Sequence, residues 1–344
     1  MRKPFHCMRV VTAPGSNAEK KAQSNAALLP AALAPGFPLS PAHDLIFHGG
    51  KTLADMSYFS LFVGGADAWD QSDIDNINKG LSDAMTDANL NNVIQQYFQT
   101  PVSCTVLGSQ VLAGPAPALV TQGDAEDLIR RLFMAGTLSS GSPAALVTPD
   151  FESTIFNLML PSRTLLNDDP GSSAGAMSAA IEGHPQAAAV AAAKASRKAR
   201  AIPEPDQADS SRGLGGYHGS VHVNSMVVYY AIGVFSEDFG DGTSNGIPAF
   251  DENWKNVVAT FYHELQEFRT DPDVEEANRT HNLQVIGWTS RRGEEIGDFP
   301  ISEARPLSLV FQEVPLASGA GTVPVQLMYS NAVHGPEGPI PAPH

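Results

Sequence analysis

His263, Glu264 and Glu267 are the residues best spaced to do chemistry. They fall in "FYHELQEFRTDPD", residues 261–273. Metallopeptidase helices read H-E-x-x-H: two histidines one turn apart grip zinc, and the glutamate between them acts as base. Here Glu267 stands where the second histidine would be. Imidazole nitrogen and carboxylate oxygen both ligate zinc at about 2.0–2.2 Å. The stretch therefore reads as a zinc grip by His263 and Glu267 with Glu264 as base. The alternative reading is the polar face of an ordinary acidic helix.

The element that must carry these residues is a helix from about 252 to 269, with Asp251 as N-cap and Asp271-Pro272 as its stop. Trp254, Val257, Val258, Phe261, Leu265 and Phe268 recur at spacings of three and four and form one apolar stripe. At about 100° per residue, His263 and Glu267 lie opposite that stripe, one turn apart. Catalytic zinc needs a third protein ligand. "RRGEEIGD", residues 291–298, offers Glu294, Glu295 and Asp298, between Trp288 and Phe299. Its alternative is a surface loop whose acids pair with Arg291 and Arg292. Upstream, "GGYHGSVHV" reads as a glycine-rich turn with surface histidines, His218 and His222. Alternatively Tyr217 or His218 faces the cleft and polarises a carbonyl. "IFHGGKT" lacks the spacing of a phosphate loop, and "FGDGTSNG" does not complete a calcium loop.

The surrounding composition narrows the partners. With 344 residues, 42% hydrophobic content and a mean hydropathy of -0.12, the chain can build a sizeable core. A formal charge of -16 and a pI near 4.9 argue against nucleic acid and anionic lipid as main partners. No apolar run is long enough to span a membrane. Cys7 and Cys104 supply neither a zinc C-x-x-C pair nor a disulfide framework. The basic start "MRKPFH" is not followed by a continuous apolar run of signal-peptide length.

Elements alternate along the chain. "SYFSLFVGG" (57–65) reads as a strand. A helix follows, with Ser72 as N-cap and apolar residues at 74, 77 and 81. A short helix precedes "CTVLGSQVLAG", which reads as strand. Leu128, Leu132 and Phe133 mark another helix, stopped by Gly136. "STIFNLMLP", "MVVYYAIGVF" (226–235), "RPLSLVFQEV" and "TVPVQLMYS" supply further strands. Residues 1–42 read as a mobile leader, 165–212 as a low-complexity surface insertion and 333–344 as a disordered tail. The order predicts one α+β domain over 43–332, with a split into two domains at the insertion as the alternative.

Five blocks in order carry a family resemblance. "IFHGGKTLADMSYFSLFVGGADAW", "INKGLSDAM…NNVIQQYF", "GGYHGSVHVNSMVVYYAIGVF", "FYHELQEFRTDPD…IGWTSRRGEEIGD" and "VPVQLMYSNA" resemble the successive blocks of the exordium, or phosphate-induced protein 1, family, from residue 45 to 332. The resemblance implies an extracellular protein. Its bacterial-type block implies a metallopeptidase-like site at His263, Glu264 and Glu267, with Glu295 and Asp298 matching "EIgD". It implies a zincin-like domain with a central mixed sheet and an active-site helix, one zinc ion, and a peptide or protein substrate. Phe299 stands where many members carry cysteine, which removes a disulfide the resemblance implies. The resulting expectation is a zinc-dependent hydrolase. The alternative is a non-catalytic extracellular binding or growth-signalling protein whose HELQE helix is structural.

Overall fold

The computed structural model of the chain describes residues 33–138, 149–171 and 208–344. Cys7, most of the predicted leader and residues 172–207 of the predicted insertion lie outside the described residues.

The strands are β1 (Ile46–Phe47), β2 (Asp55–Phe62), β3 (Ser103–Val111), β4 (Leu119–Val120), β5 (Thr154–Met159), β6 (Leu165–Leu166), β7 (Gly216–Val223), β8 (Met226–Gly233), β9 (Glu237–Asp238), β10 (Ser244–Asn245), β11 (Trp288–Thr289), β12 (Phe311–Pro315), β13 (Thr322–Gln326), β14 (Met328–Ser330) and β15 (Gly335–Glu337). The helices are α1 (Gln71–Thr86), α2 (Ala88–Ile94), α3 (Gln122–Met134), α4 (Asn253–Thr270), α5 (Val274–Thr280) and α6 (Asp298–Glu303).

Five strands form the central sheet in the order β3-β2-β5-β8-β7. The first four run parallel, and β7 pairs antiparallel with β8 at one edge. The sheet is mixed and the fold is α+β, as predicted. Parallel strands covered on both faces need apolar residues throughout, and every residue of β5 is buried. Successive side chains alternate between the faces. Phe59, Leu61, Phe156, Leu158, Tyr230 and Ile232 share one core with Leu128, Ile129 and Leu132 of α3. Tyr58, Phe62, Ile155, Met159, Tyr229 and Ala231 share the other with α1 and α4.

The stripe on α4 enters that second core as expected. Its opposite face is not solvated. The β12–β13 hairpin packs over α4, and every residue from Asn256 to Thr270 is buried. The polar face is thus a second interior surface, which removes the reading of an ordinary acidic surface helix.

Several local expectations shift. Glu252, not Asp251, sits at the α4 N-cap, and its side chain makes no cap bond. α1 begins at Gln71 after Asp70, so Ser72 is inside the helix. Residues 33–42 and 333–344 are pinned to each other rather than loose: Ala34 N–H donates to Pro336 O at 2.8 Å, Leu33 bridges to Glu337, β15 pairs with β14, and Ile340 is buried. The predicted insertion also begins inside the core. β6 pairs with β4, and an Asn167–Asp209 bridge closes its base. Among the described residues, no helix is long and apolar enough to cross a membrane.

Candidate metal centre

Strand β7 brings His218 inward. The period of two sends Tyr217, Val221 and Val223 to the α3 side. His218 therefore faces α4. Its neighbouring glycines serve close packing rather than a turn: a Cβ on Gly216 would lie 2.5 Å from Ile232 O and 3.1 Å from Thr260 Cγ2. The glycine-rich turn reading is corrected accordingly. His218 is 1% exposed. His222, farther along the same face, remains half-exposed and pairs with Glu276 at 3.0 Å. Tyr217 is buried on the far side of the sheet.

α4 supplies His263, Glu264 and Glu267 one turn apart, and Asp271 at its C-cap. The turn entering α6 supplies Glu295 and Asp298, held together by Glu295 N–H donating to Asp298 Oδ2 at 2.9 Å. These segments converge. His263 Nε2 lies 2.9 Å from Glu267 Oε1. His218 Nδ1 lies 3.4 Å from Glu264 Oε2 and 3.8 Å from Glu267 Oε2. His218 Nε2 lies 3.6 Å from Glu295 Oε1. Two groups of ligand atoms gather within 4.8 Å of one another: His263, Glu267 and Asp298, and His218, Glu267 and Glu295.

Glu294 is not part of either group. It binds His43 Nδ1 at 2.8 Å and Ser290 Oγ at 2.6 Å, while Arg291 and Arg292 are exposed. Among the described residues, neither arginine forms an ion pair with the acids of this segment. The salt-bridged surface loop is therefore not what forms.

Two supporting residues had no signal in the motif. Gln326 of β13 donates through Nε2 to Gly297 O at 2.7 Å, which fixes its amide. Its Oε1 must then accept from His263 Nδ1–H at 2.9 Å. That places a ring proton on Nδ1 and turns Nε2 toward Glu267, the nitrogen a metal-binding histidine would present to an ion. Gly297 leaves the space: a Cβ there would lie 2.3 Å from His263 Nδ1 and 3.0 Å from Glu267 Oε1.

The acids resist ionisation. Burial, reinforced by the charge of Glu267, pushes Asp298 up to about 7 and Glu295 well above the usual carboxylate range. Burial raises Glu264 as well, and takes Asp271 to about 7. Burial alone would lower His263, but Glu267 overrides it and lifts the imidazole to about 10. Burial likewise opposes protonation of His218, and Glu264 overrides it and raises the histidine. Several oxygens make no hydrogen bond: both of Glu264, Oε2 of Glu267, Oε1 of Glu295 and Oδ2 of Asp271. An unpaired buried polar atom costs about 1–3 kcal/mol. A divalent cation supplies the missing partner and inverts the local charge balance. The mixed imidazole and carboxylate donors suit zinc better than the all-oxygen shells of calcium or magnesium.

Comparison of the chain with protein-family models, curated proteins and solved structures gave no match. The functional reading therefore rests on this geometry and on the sequence blocks.

Proposed function

We propose that the chain is a zinc-dependent hydrolase that cleaves peptide or protein substrates, with His263, Glu267 and Asp298 as zinc ligands and Glu264 as base. The observation that carries this is Glu264. It is fully buried beside the ligands, and neither carboxylate oxygen makes a hydrogen bond. A purely structural glutamate in that position would be costly, with His218 Nδ1 at 3.4 Å as its near partner. Zinc held by these residues would supply Lewis acidity and would lower the pKa of a bound water toward 7. Glu264 takes a proton from the attacking water and delivers it to the departing amine nitrogen as the C–N bond breaks. Gln326 orients His263. His218 lies 3.4 Å from Glu264 Oε2, beside the base.

Asp298 is the one ligand with appreciable exposure. The next residue, Phe299, helps line a cavity of about 240 Å³ with Phe37, His43, Glu303 and Arg305. None of the proposed ligands lines that cavity, so a substrate entering there would reach the site only past Phe299. The exordium-like blocks support the same motif assignment, and extracellular placement rests on them alone.

A second reading has its own support. His218, His263, Glu264, Glu267 and Glu295 are each at most 2% exposed, which also suits a structural ion in a non-catalytic binding protein. Glu264→Gln separates the two. The hydrolase reading expects zinc retained and peptide cleavage reduced about 100-fold. Undiminished cleavage in this variant, or zinc-loaded wild type inert toward a broad peptide library, would leave the structural ion.

A further inference from the structure

We infer that the cluster is built for two divalent cations, with the Glu267 carboxylate shared between them. This rests on the zinc reading above and extends it. The two oxygens of Glu267 face different histidines: Oε1 is 2.9 Å from His263 Nε2, and Oε2 is 3.8 Å from His218 Nδ1. Each side has its own further carboxylate within 4.8 Å, Asp298 with His263 and Glu295 with His218. The two halves thus have the same composition, one imidazole and one private carboxylate around a common one. A carboxylate presenting its two oxygens in this way suits paired ions about 3.5–4 Å apart, the usual separation in two-metal sites.

The second half meets an independent requirement. Glu295 is 2% exposed, its Oε1 makes no hydrogen bond, and it lies 3.6 Å from the His218 ring at Nε2, which donates to Asp271 O at 3.3 Å and leaves Nδ1 as the nitrogen facing Glu267. One ion at the His263 half would leave this oxygen without a hydrogen-bond partner.

Charge leads to the same count. Glu264, Glu267, Asp271, Glu295 and Asp298 bring a formal charge of about −5 to one interior region, where isolated ions are strongly disfavoured. Among the described residues, no lysine or arginine forms an ion pair with any of them. The buried Arg269 turns its Nη1 to Ala54 O and Ser103 O instead. Set against that formal charge alone, one dication leaves about −3 and two leave about −1.

The test is zinc stoichiometry. Full-length protein is saturated with Zn2+, freed of excess by dialysis without chelator, and analysed for zinc per chain. The expected result is two for wild type, one for Glu295→Gln, one for Asp298→Asn, and a loss of both for Glu267→Gln. Circular dichroism and melting confirm that each variant is folded. One zinc in wild type, unchanged by Glu295→Gln, overturns the second ion and leaves the hydrolase proposal intact. No zinc in wild type overturns both. A further measurement needs no variant: wild type loaded with Mn2+ should give the electron paramagnetic resonance spectrum of an exchange-coupled pair. A spectrum of isolated Mn2+ alone at saturation overturns the proposal.

Discussion

The two faces of the central sheet are equally closed to water and filled in opposite ways. Under α3, the contacts are Phe59, Leu61, Phe156, Leu158, Leu128, Ile129 and Leu132, all buried and apolar. Under α4, the apolar stripe of that helix meets the sheet, but its other side encloses two histidines and a set of carboxylates. Burial on the first side stabilises the fold at about 25 cal/mol per Å² of apolar area. Burial on the second side opposes folding wherever a charge lacks a partner. The α3 side is thus a source of stability, while the α4 side spends part of it on a site. Ionisable groups so placed mark a binding or catalytic function more often than a structural one.

That contrast can be broken by mutation, and the largest effect belongs to the apolar side. Phe156→Ala, at a position 1% exposed, should cost about 3–5 kcal/mol in urea unfolding, with zinc content unchanged. A loss of zinc in a variant that is still folded would show that the faces are not separable. Next comes Glu264→Gln, expected to slow peptide cleavage about 100-fold, equivalent to about 2.7 kcal/mol of transition-state stabilisation. Its unfolding free energy should stay equal to wild type or rise, because it removes a buried acid. Gln326→Met should weaken zinc binding about tenfold by freeing the His263 ring, the usual scale for such a support. Gly297→Ala should do at least the same. Its φ of -93° suits alanine, so any loss is due to the methyl group meeting His263. Equilibrium competition with a chromogenic chelator measures both, and wild-type affinity in either variant would refute the orienting role.

The smallest effect lies on the border between the faces. Glu275 of α5 bonds Gln122 of α3 and approaches Gly219 of β7. Burial and the charge of Glu126 push it up to about 7, against weaker lowering by His218, Gln122 and the backbone of Ser220. Its ordinary value is 4.5. Between those values the unfolded chain has released the proton and the folded chain has kept it. Stability from this group is therefore lost as pH rises from 4.5 to 7, and is level above that. Glu275→Gln should be more stable than wild type by about 1 kcal/mol at pH 8, a part-buried group showing less than the full shift. The gap should close below pH 4.5. A constant difference at all pH values would show that Glu275 acts by packing.

The sequence carried some of this better than the rest, for physical reasons. His263 and Glu267 were legible because a helix turn fixes their separation locally. The sheet strands were legible because double-sided burial leaves apolar runs. His218 was obscured because glycines at 215, 216 and 219 resemble a turn. The alternation of Tyr217, Val221 and Val223 against His218, Ser220 and His222 was the available sign of a strand. Asp298 and Glu295 were both named as third ligands, but only the folded turn assigns them to different histidines. Gln326 had no local signal at all, since a glutamine in a β-strand gains meaning only from the ring across from it. The reading of α4's polar face as solvated stayed open in the sequence because the β12–β13 hairpin that covers it begins only at Phe311, far beyond the helix end at Thr270.

The ligand set joins residue 218 to 263–267 and to 295–298, with Gln326 behind them. No short piece of the chain holds the site. During synthesis, residue 218 emerges before the motif helix and residues 295–298 and 326 after it, so closing these separated segments onto one point comes late. If the site takes zinc as proposed, tight capture would be a timestamp: it would report that the β12–β13 hairpin has docked, and a nascent chain ending before residue 326 should hold the ion more weakly.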